Sequence, residues 1–272
     1  VNIILDPILI FGINGYLEFG VAGAAIATII GQMTACLLAI ILFRKTSRIK
    51  VSLKNFKPNA QIIKNIYSIA IPSGVMTSLP SILVALLNSL LATVSQTAIA
   101  FFGIYFKLQS FIYMPANGLI QGMRPLISYN YGARHFDRVK KIIKVSIIST
   151  AVILCCGTII FMGLPELVLS WFNATEQLLE IGIIGLRVIS PCFILSTMGV
   201  VISGVFESLG KGRQSLTISL LRQFIITLPL AYILLKVIGL NGIWLSFVIA
   251  EGIASVIAVI LIKKELHNFK VD

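Results

Sequence analysis

Asn65–Phe106, NIYSIAIPSGVMTSLPSILVALLNSLLATVSQTAIAFFGIYF, runs for 42 residues without a charged side chain. A bilayer core takes about 20 apolar residues per helix, so this stretch is too long for one crossing and must turn within itself. Its most polar part, Asn88–Gln96, contains Ser89, Thr93 and Ser95, and the reversal belongs there. That reading gives spans near 65–87 and 98–122. Working outward, Phe19–Phe43 is a second uncharged stretch, and further apolar runs lie near 144–164, 181–206, 214–235 and 242–262. The expected fold class is therefore all-α: a polytopic membrane helix bundle of about seven transmembrane helices.

Composition agrees. Hydrophobic residues make up 57% and charged residues 12% of the 272, with a mean hydropathy of +0.99. Soluble domains carry about 25% charged residues, so most of this surface faces something other than water. The net charge of +12 could suggest nucleic-acid binding, but its distribution argues otherwise. With the start of the chain outside, 7 positives fall in 44–64, 6 in 124–144, 3 in 207–222 and 3 in 263–272. The outer segments hold only Arg187 and Lys236, and Lys107 lies within a span. Retention of Lys and Arg on the cytoplasmic side produces this asymmetry. The expected location is the cell (inner or plasma) membrane, multi-pass, with a cytoplasmic C-terminus and no nucleic-acid partner. The run Arg44–Lys64 either lies on anionic headgroups of the lipid bilayer or serves as a solvated connector.

Val-Asn-Ile-Ile-Leu-Asp-Pro enters an apolar stretch directly from Val1, with no basic n-region or cleavage site of a signal peptide. It reads as a fragment beginning inside a helix. Cys36, Cys155, Cys156 and Cys192 all sit in apolar runs without C-x-x-C spacing and read as packing residues. The histidines, His135 and His267, fall in inner basic segments, and no Ser/His/Asp arrangement or H-E-x-x-H is present. Gly210-Lys211-Gly212 lacks the spacing of a phosphate-cradling loop. No enzyme, catalytic residue or metal site is expected.

Two stretches resemble each other. Gly20-Val21-Ala22-Gly23 and Gly239-Leu240-Asn241-Gly242 each place a G-[VL]-x-G turn just before a span, and each follows a proline-bearing helix, at Asp6-Pro7 and Leu228-Pro229. The offset of 219 residues covers six helices, so both copies enter the membrane in the same direction. Parallel repeats related by an axis along the membrane normal mark two-halved transporters. On that reading roughly 160 residues, about five helices of the same protein, precede this chain.

Longer strings carry a family resemblance. Asp6-Pro7-Ile8-Leu9-Ile10-Phe11-Gly12, followed by Gly20 through Gln32, resembles the fifth-to-sixth helix region of multidrug and toxic compound extrusion (MATE) transporters. Gly103 through Pro115, then Gly122-Met123-Arg124-Pro125 and Tyr129-Asn130-Tyr131-Gly132-Ala133, looks like the eighth helix and following loop of the MepA-like bacterial branch. Ile71-Pro72 opening the seventh helix and Gly204–Gly212 ending the tenth also fit. The resemblance implies helices six to twelve of a two-lobed, twelve-helix exporter. Residues 1–43 would be the end of the N-terminal lobe (tail of helix five and helix six). Residues 44–64 would be a basic cytoplasmic connector, and 65–272 the C-terminal six-helix lobe with a short cytoplasmic tail. It further implies antiport of bulky cationic, aromatic small-molecule drugs against a coupling ion, H+ or Na+, with no other cofactor. Pro80 and Ser196 stand near positions where some branches carry acids in helices seven and ten, so no coupling acid carries over there.

Candidate pathway residues follow from polarity within spans. Lys107 is about nine residues into its helix, and a charge near the bilayer centre costs about 3 kcal/mol or more. Lys107, Ser110, Met114, Asn117 and Gln121 share one helical face. That strip either lines a central cavity, with Lys107 joining proton coupling, or Lys107 pairs with an acid elsewhere or snorkels to the interface. On helix seven, Thr77, Ser81 and Asn88 form a second stripe, with Asn88 a pathway residue or an outer-end cap. Pro72, Pro80 and Pro115 are candidate helix-bending positions. On helix ten, Ser196, Ser203 and Glu207 share a face, with Glu207 beside Lys211 and Arg213 as an interfacial ion pair or a substrate contact. Phe102, Tyr105, Phe106, Phe111 and Tyr113 read as packing or cation–π residues, with Phe111 and Met114 nearest the polar strip. Gly23, Ala24, Ala27 and Gly31 give helix six a small-residue face for close packing. Two alternative readings remain: a lipid-linked or polysaccharide flippase of the same superfamily, and a seven-helix receptor. The receptor's retinal version lacks its lysine in Leu240–Ile262.

Overall fold

The computed structural model describes residues 1–12, 19–46, 58–172 and 174–268. Residues 47–57 of the basic connector and 269–272 of the tail lie outside the described residues. Helices run in the order α1 (Asn2–Phe11), α2 (Gly20–Thr46), α3 (Ala60–Ala92), α4 (Gln96–Gly132), α5 (Phe136–Gly163), α6 (Pro165–Ser170), α7 (Glu176–Ile189) and α8 (Pro191–Ser208). α9 (Gly212–Leu220), a π-helical turn (Leu221–Ile225), α10 (Thr227–Ile238) and α11 (Leu240–Asn268) complete the chain, and the described residues contain no strand. Among the described residues, seven segments are long and apolar enough to cross a membrane: α2, α3, α4, α5, α8, Gly212–Ile238 and α11. The chain is a multi-pass, all-helical membrane protein.

The reversal inside Asn65–Phe106 occurs at Thr93–Ser95, where Thr93, Val94 and Ser95 N–H groups return to Leu90 and Leu91 carbonyls. Ser95 caps α4 by accepting the Ala98 N–H at 3.0 Å. Three expectations need correction. The run 181–206 is two helices, because Pro191 has no N–H with which to continue α7, and Ser190 is the joint. The stretch Arg124–Gly132, read as a loop, is the last two turns of α4, since Pro125 is tolerated inside it. Arg222, assigned to an inner segment, lies ten residues into the span Gly212–Ile238.

The chain divides into two compact units, Val1–Asn59 and Ala60–Asp272. In the first, α1 packs on α2. Gly20 takes φ +53, and a Cβ on Gly23 would overlap the Leu9 carbonyl. In the second, Gly239 takes φ +75 and a Cβ on Gly242 would overlap the Leu234 carbonyl. The two repeat copies thus use one device: a positive-φ glycine turns the chain, and a second lets the next helix start against the backbone of the one before.

The core of the second unit has two parts. The larger centres on Phe101, Phe102, Tyr105, Phe193 and Trp244, with Phe101 meeting Trp244 edge-on at 5.1 Å between centroids. Gly182 and Gly185 of α7 admit the Phe101 ring, since a Cβ on Gly185 would stand 2.6 Å from its Cζ. The smaller gathers Ile127, Val139, Val201, Phe206 and Ala258. Outward apolar side chains such as Ile148, Val152, Ile159, Val256 and Ile260 are exposed, as a lipid-facing surface requires. Lipid is as apolar as these side chains, so close packing through small residues carries the helix association.

Candidate functional site

A cavity of about 470 Å³ opens between α3, α4, α8, the π turn, α10 and α11. α4 supplies most of its wall. One face of α4 is buried through Phe101, Phe102, Tyr105, Leu108 and Ala116, and the adjacent face presents Phe106, Gln109, Ser110, Tyr113, Met114 and Asn117 to the cavity. The three- and four-residue steps keep these side chains in line. Pro80 and Leu83 of α3, Val200 of α8, Thr227 of α10 and Phe247 of α11 close the other sides.

The polar groups at the far side come from a local break in helix order. Pro229 cannot donate to the Ile225 carbonyl, and its ring crowds that carbonyl. The preceding turn widens: Ile226 N–H reaches Leu221 O at 3.1 Å, and the Thr227 hydroxyl donates to the Arg222 carbonyl. Such π turns often sit at functional sites. Here the turn carries Arg222 and Gln223, both of which line the cavity.

Arg222 Nε lies 3.2 Å from Glu251 Oε1, with the side chains only 20% and 12% exposed. The pair is close enough to neutralise charge but is not aligned as a hydrogen bond. Glu251 Oε2 and Gln223 Oε1 are buried and have no hydrogen-bond partner among the described residues. Beside them, Tyr113 Oη and Ser196 Oγ are 2.6 Å apart, and Ser196 Oγ donates to the Phe193 carbonyl at 2.8 Å. Ser196 has one proton to give, so Tyr113 is the donor in that pair.

Of the sequence candidates, Ser110, Met114, Asn117 and Pro80 line the cavity, and Ser196 stands behind Tyr113. Lys107, Gln121 and Phe111 are exposed outside the lining, Phe111 by 72%. Thr77 returns its hydroxyl to the Ser73 carbonyl at 2.9 Å, Ser81 is exposed, and the buried Asn88 Oδ1 has no partner among the described residues. Pro72, Pro80 and Pro115 lie inside continuous helices α3 and α4. Glu207 pairs with Arg124 at 2.8 Å and accepts from Ser215 at 3.1 Å, while Lys211 binds both oxygens of Glu265 at 2.6 Å. Those contacts tie α4, α8, α9 and α11 together away from the cavity.

Sequence reasoning missed Arg222, Gln223 and Glu251. The available signal was isolation: Glu251 is the lone charge between Lys236 and Lys263, and Arg222 the lone one between Arg213 and Lys236. A charge alone in a span is a functional candidate, and Pro229 could have warned of a disturbed turn at Arg222.

A family model described as MatE matches residues 72–233, which hold most of this cavity. The chain belongs to the MatE family. Multidrug export protein MepA from Staphylococcus aureus is 33% identical over 272 residues, and the same-named protein from Staphylococcus haemolyticus 34% over 274. Both alignments cover 100% of this chain but 59% of the relative, so the chain spans about three-fifths of their length. Among solved structures, an outward-facing multidrug resistance MATE family transporter of the MOP superfamily superposes with a TM-score of 0.90 at 24% identity, covering 100% of this chain and 61% of that one. A MATE solved in complex with MaD5 gives 0.88 at 25% identity, with 100% and 60% covered. Membership of the MatE family sets aside the seven-helix receptor and any enzymatic reading.

Proposed function

We propose that this MatE-family chain forms the C-terminal part of a secondary active multidrug exporter that moves cationic, aromatic compounds outward against an inward H+ or Na+ gradient. The observation that carries the reading is the cavity, whose lining combines the rings of Phe106, Tyr113 and Phe247 with the Arg222–Glu251 pair, so that aromatic faces suited to a flat organic cation share one space with a carboxylate. The relatives named as multidrug export proteins support the same direction. On this reading residues 1–43 end a first lobe, 44–64 form a cytoplasmic connector and 65–272 make the second lobe, with the C-terminus in the cytoplasm. Lys107 stands in this proposal as an exposed cation on α4, to be tested for coupling.

The test is efflux of a cationic dye from cells expressing the full-length gene product, with proton and sodium gradients collapsed separately. The expected result is efflux that stops when one gradient is removed. Absence of efflux under both gradients would overturn the reading in favour of a flippase of the wider superfamily. In the same assay, unchanged efflux by Lys107→Ala and Lys107→Met would remove Lys107 from the mechanism.

A further inference from the structure

The second unit gathers positive charge at one end, and an open groove runs into that end. The pairs Arg124–Glu207 at 2.8 Å and Lys211–Glu265 at 2.6 Å hold the closing turns of α4, α8 and α11 with the start of α9, and α5 begins just after α4 ends. Arg134, Arg138, Lys141, Lys144, Lys263 and Lys264 are exposed there. Glu207 and Glu265 are already taken, and Asp137 faces Lys140 at 3.5 Å. Among the described residues of this end, no acid is left to neutralise the exposed cations.

The groove, about 520 Å³, lies between α4 and α5. Leu119, Gly122 and Leu126 form one wall and Ile142 and Val145 the other, over the buried Met123 and Ser146. The α4 wall lies about 150° around the helix from the strip Ser110–Met114–Asn117, so the groove opens on the side turned away from the aromatic cavity. A Cβ on Gly122 would meet nothing within 4 Å, so the missing side chain leaves space instead of admitting a neighbour. Lys141 stands at one end of the lining and Ser149 at the other, about 12 Å apart along α5. Arg138, Lys141, Ile142, Val145 and Ser149 fall at i, i+3, i+4, i+7 and i+11, one helical face, which puts Arg138 a turn beyond Lys141 at the charged end. Neither cation has an ion-pair partner among the described residues.

An apolar channel that ends at two unpaired cations matches a molecule with a hydrocarbon chain and an anionic head. An organic cation meets like charge at Arg138 and Lys141, and a free inorganic anion gains nothing from the apolar walls. Basic side chains close to a membrane surface attract anionic headgroups, and they lay their stems along apolar surface while the charge reaches headgroup level. We propose that the α4–α5 groove is a site for an anionic phospholipid: one acyl chain lies against Gly122 and Val145, and Arg138 and Lys141 meet the phosphate. The site does not depend on which compound the aromatic cavity takes.

The experiment uses the purified full-length protein in phosphatidylcholine nanodiscs doped with a small, equal fraction of either phosphatidylglycerol or phosphatidylcholine carrying a photoreactive diazirine on one acyl chain. Peptide mass spectrometry locates and quantifies the label. Groove-facing residues of α4 and α5 should take about 25-fold more label from phosphatidylglycerol than from phosphatidylcholine, as about fivefold per cation multiplies over two. Lys141→Gln should lower that ratio to about fivefold, and Arg138→Gln/Lys141→Gln should bring the two lipids level. Arg138→Lys/Lys141→Arg keeps both charges and should keep the ratio, which separates loss of charge from misfolding. Gly122→Leu, whose side chain enters the open space, should remove groove label from both lipids and leave label on other helices unchanged. A wild-type ratio within about twofold of unity, a ratio unchanged in Arg138→Gln/Lys141→Gln, or groove label from neither lipid, as when another part of the protein fills the groove, would overturn the site.

Discussion

Replacing Arg222 with Met keeps an unbranched apolar stem and removes the charge that faces Glu251. At 3.2 Å and an effective dielectric near 20, the attraction between Arg222 and Glu251 is about 5 kcal/mol before desolvation is counted. Removing one partner of a buried pair costs about 3–5 kcal/mol, because the other charge is left uncompensated. The residual exposure of 20% and 12%, on a cavity wall, admits some screening, so the lower end of about 3 kcal/mol applies. For a full-length protein of the relatives' size, of which this chain is 59%, that corresponds to a fall in melting temperature of about 3 °C. The assay is thermal unfolding of the purified full-length protein in one detergent, followed by intrinsic tryptophan fluorescence, to which the buried Trp244 contributes. Arg222→Met/Glu251→Gln removes both charges, and a charge-free replacement is often neutral, so the double variant should melt above either single one. An Arg222→Met protein that melts within about 1 °C of wild type would refute the reasoning. So would a double variant whose loss equals the sum of the two single losses, because additivity means no coupling.

Three further perturbations probe the packing. Gly185→Ala should cost about 1–3 kcal/mol by pushing a Cβ into the buried Phe101 ring, and Phe101→Leu in the same chain should recover part of the lost melting temperature. Gly242→Ala meets the Leu234 backbone, which cannot rotate away, so its melting temperature should fall further than that of Gly185→Ala; Gly74→Ala, with nothing within 4 Å, should show no loss and serves as the control. A double-mutant cycle on Arg124 and Glu207, whose side chains are 34% and 22% exposed, should return a coupling of about 1 kcal/mol or less. A coupling above about 3 kcal/mol there would mean that the α4–α8 contact is far drier than its exposure indicates.

The fate of Lys107 and Glu251 explains what could be read in advance. Lys107 is charged and near mid-span, and its spacing puts it on one helical face with Ser110, Met114 and Asn117. Whether a residue at the edge of such a face points into a cavity depends on how the helix is rotated against its neighbours. Ser110, Met114 and Asn117 fall within the lining while Lys107 and Gln121 fall outside it. Glu251 and Arg222 are 29 positions apart on different helices, and no pattern along the chain states that they meet.

By itself the sequence determined an all-helical, membrane-crossing chain, where Asn65–Phe106 reverses, and the pair of glycine turns at Gly20 and Gly239. The physical reason is local: hydrocarbon forces every backbone N–H and C=O to be satisfied within a helix, so apolar length and turn chemistry are enough. Only the tertiary structure decided the cavity, the joint at Ser190–Pro191 between α7 and α8, and the site built by Arg222, Gln223 and Glu251. Those depend on helix rotation, on the register between α10 and α11, and on a π turn opened by Pro229, which together choose which few polar atoms face one another.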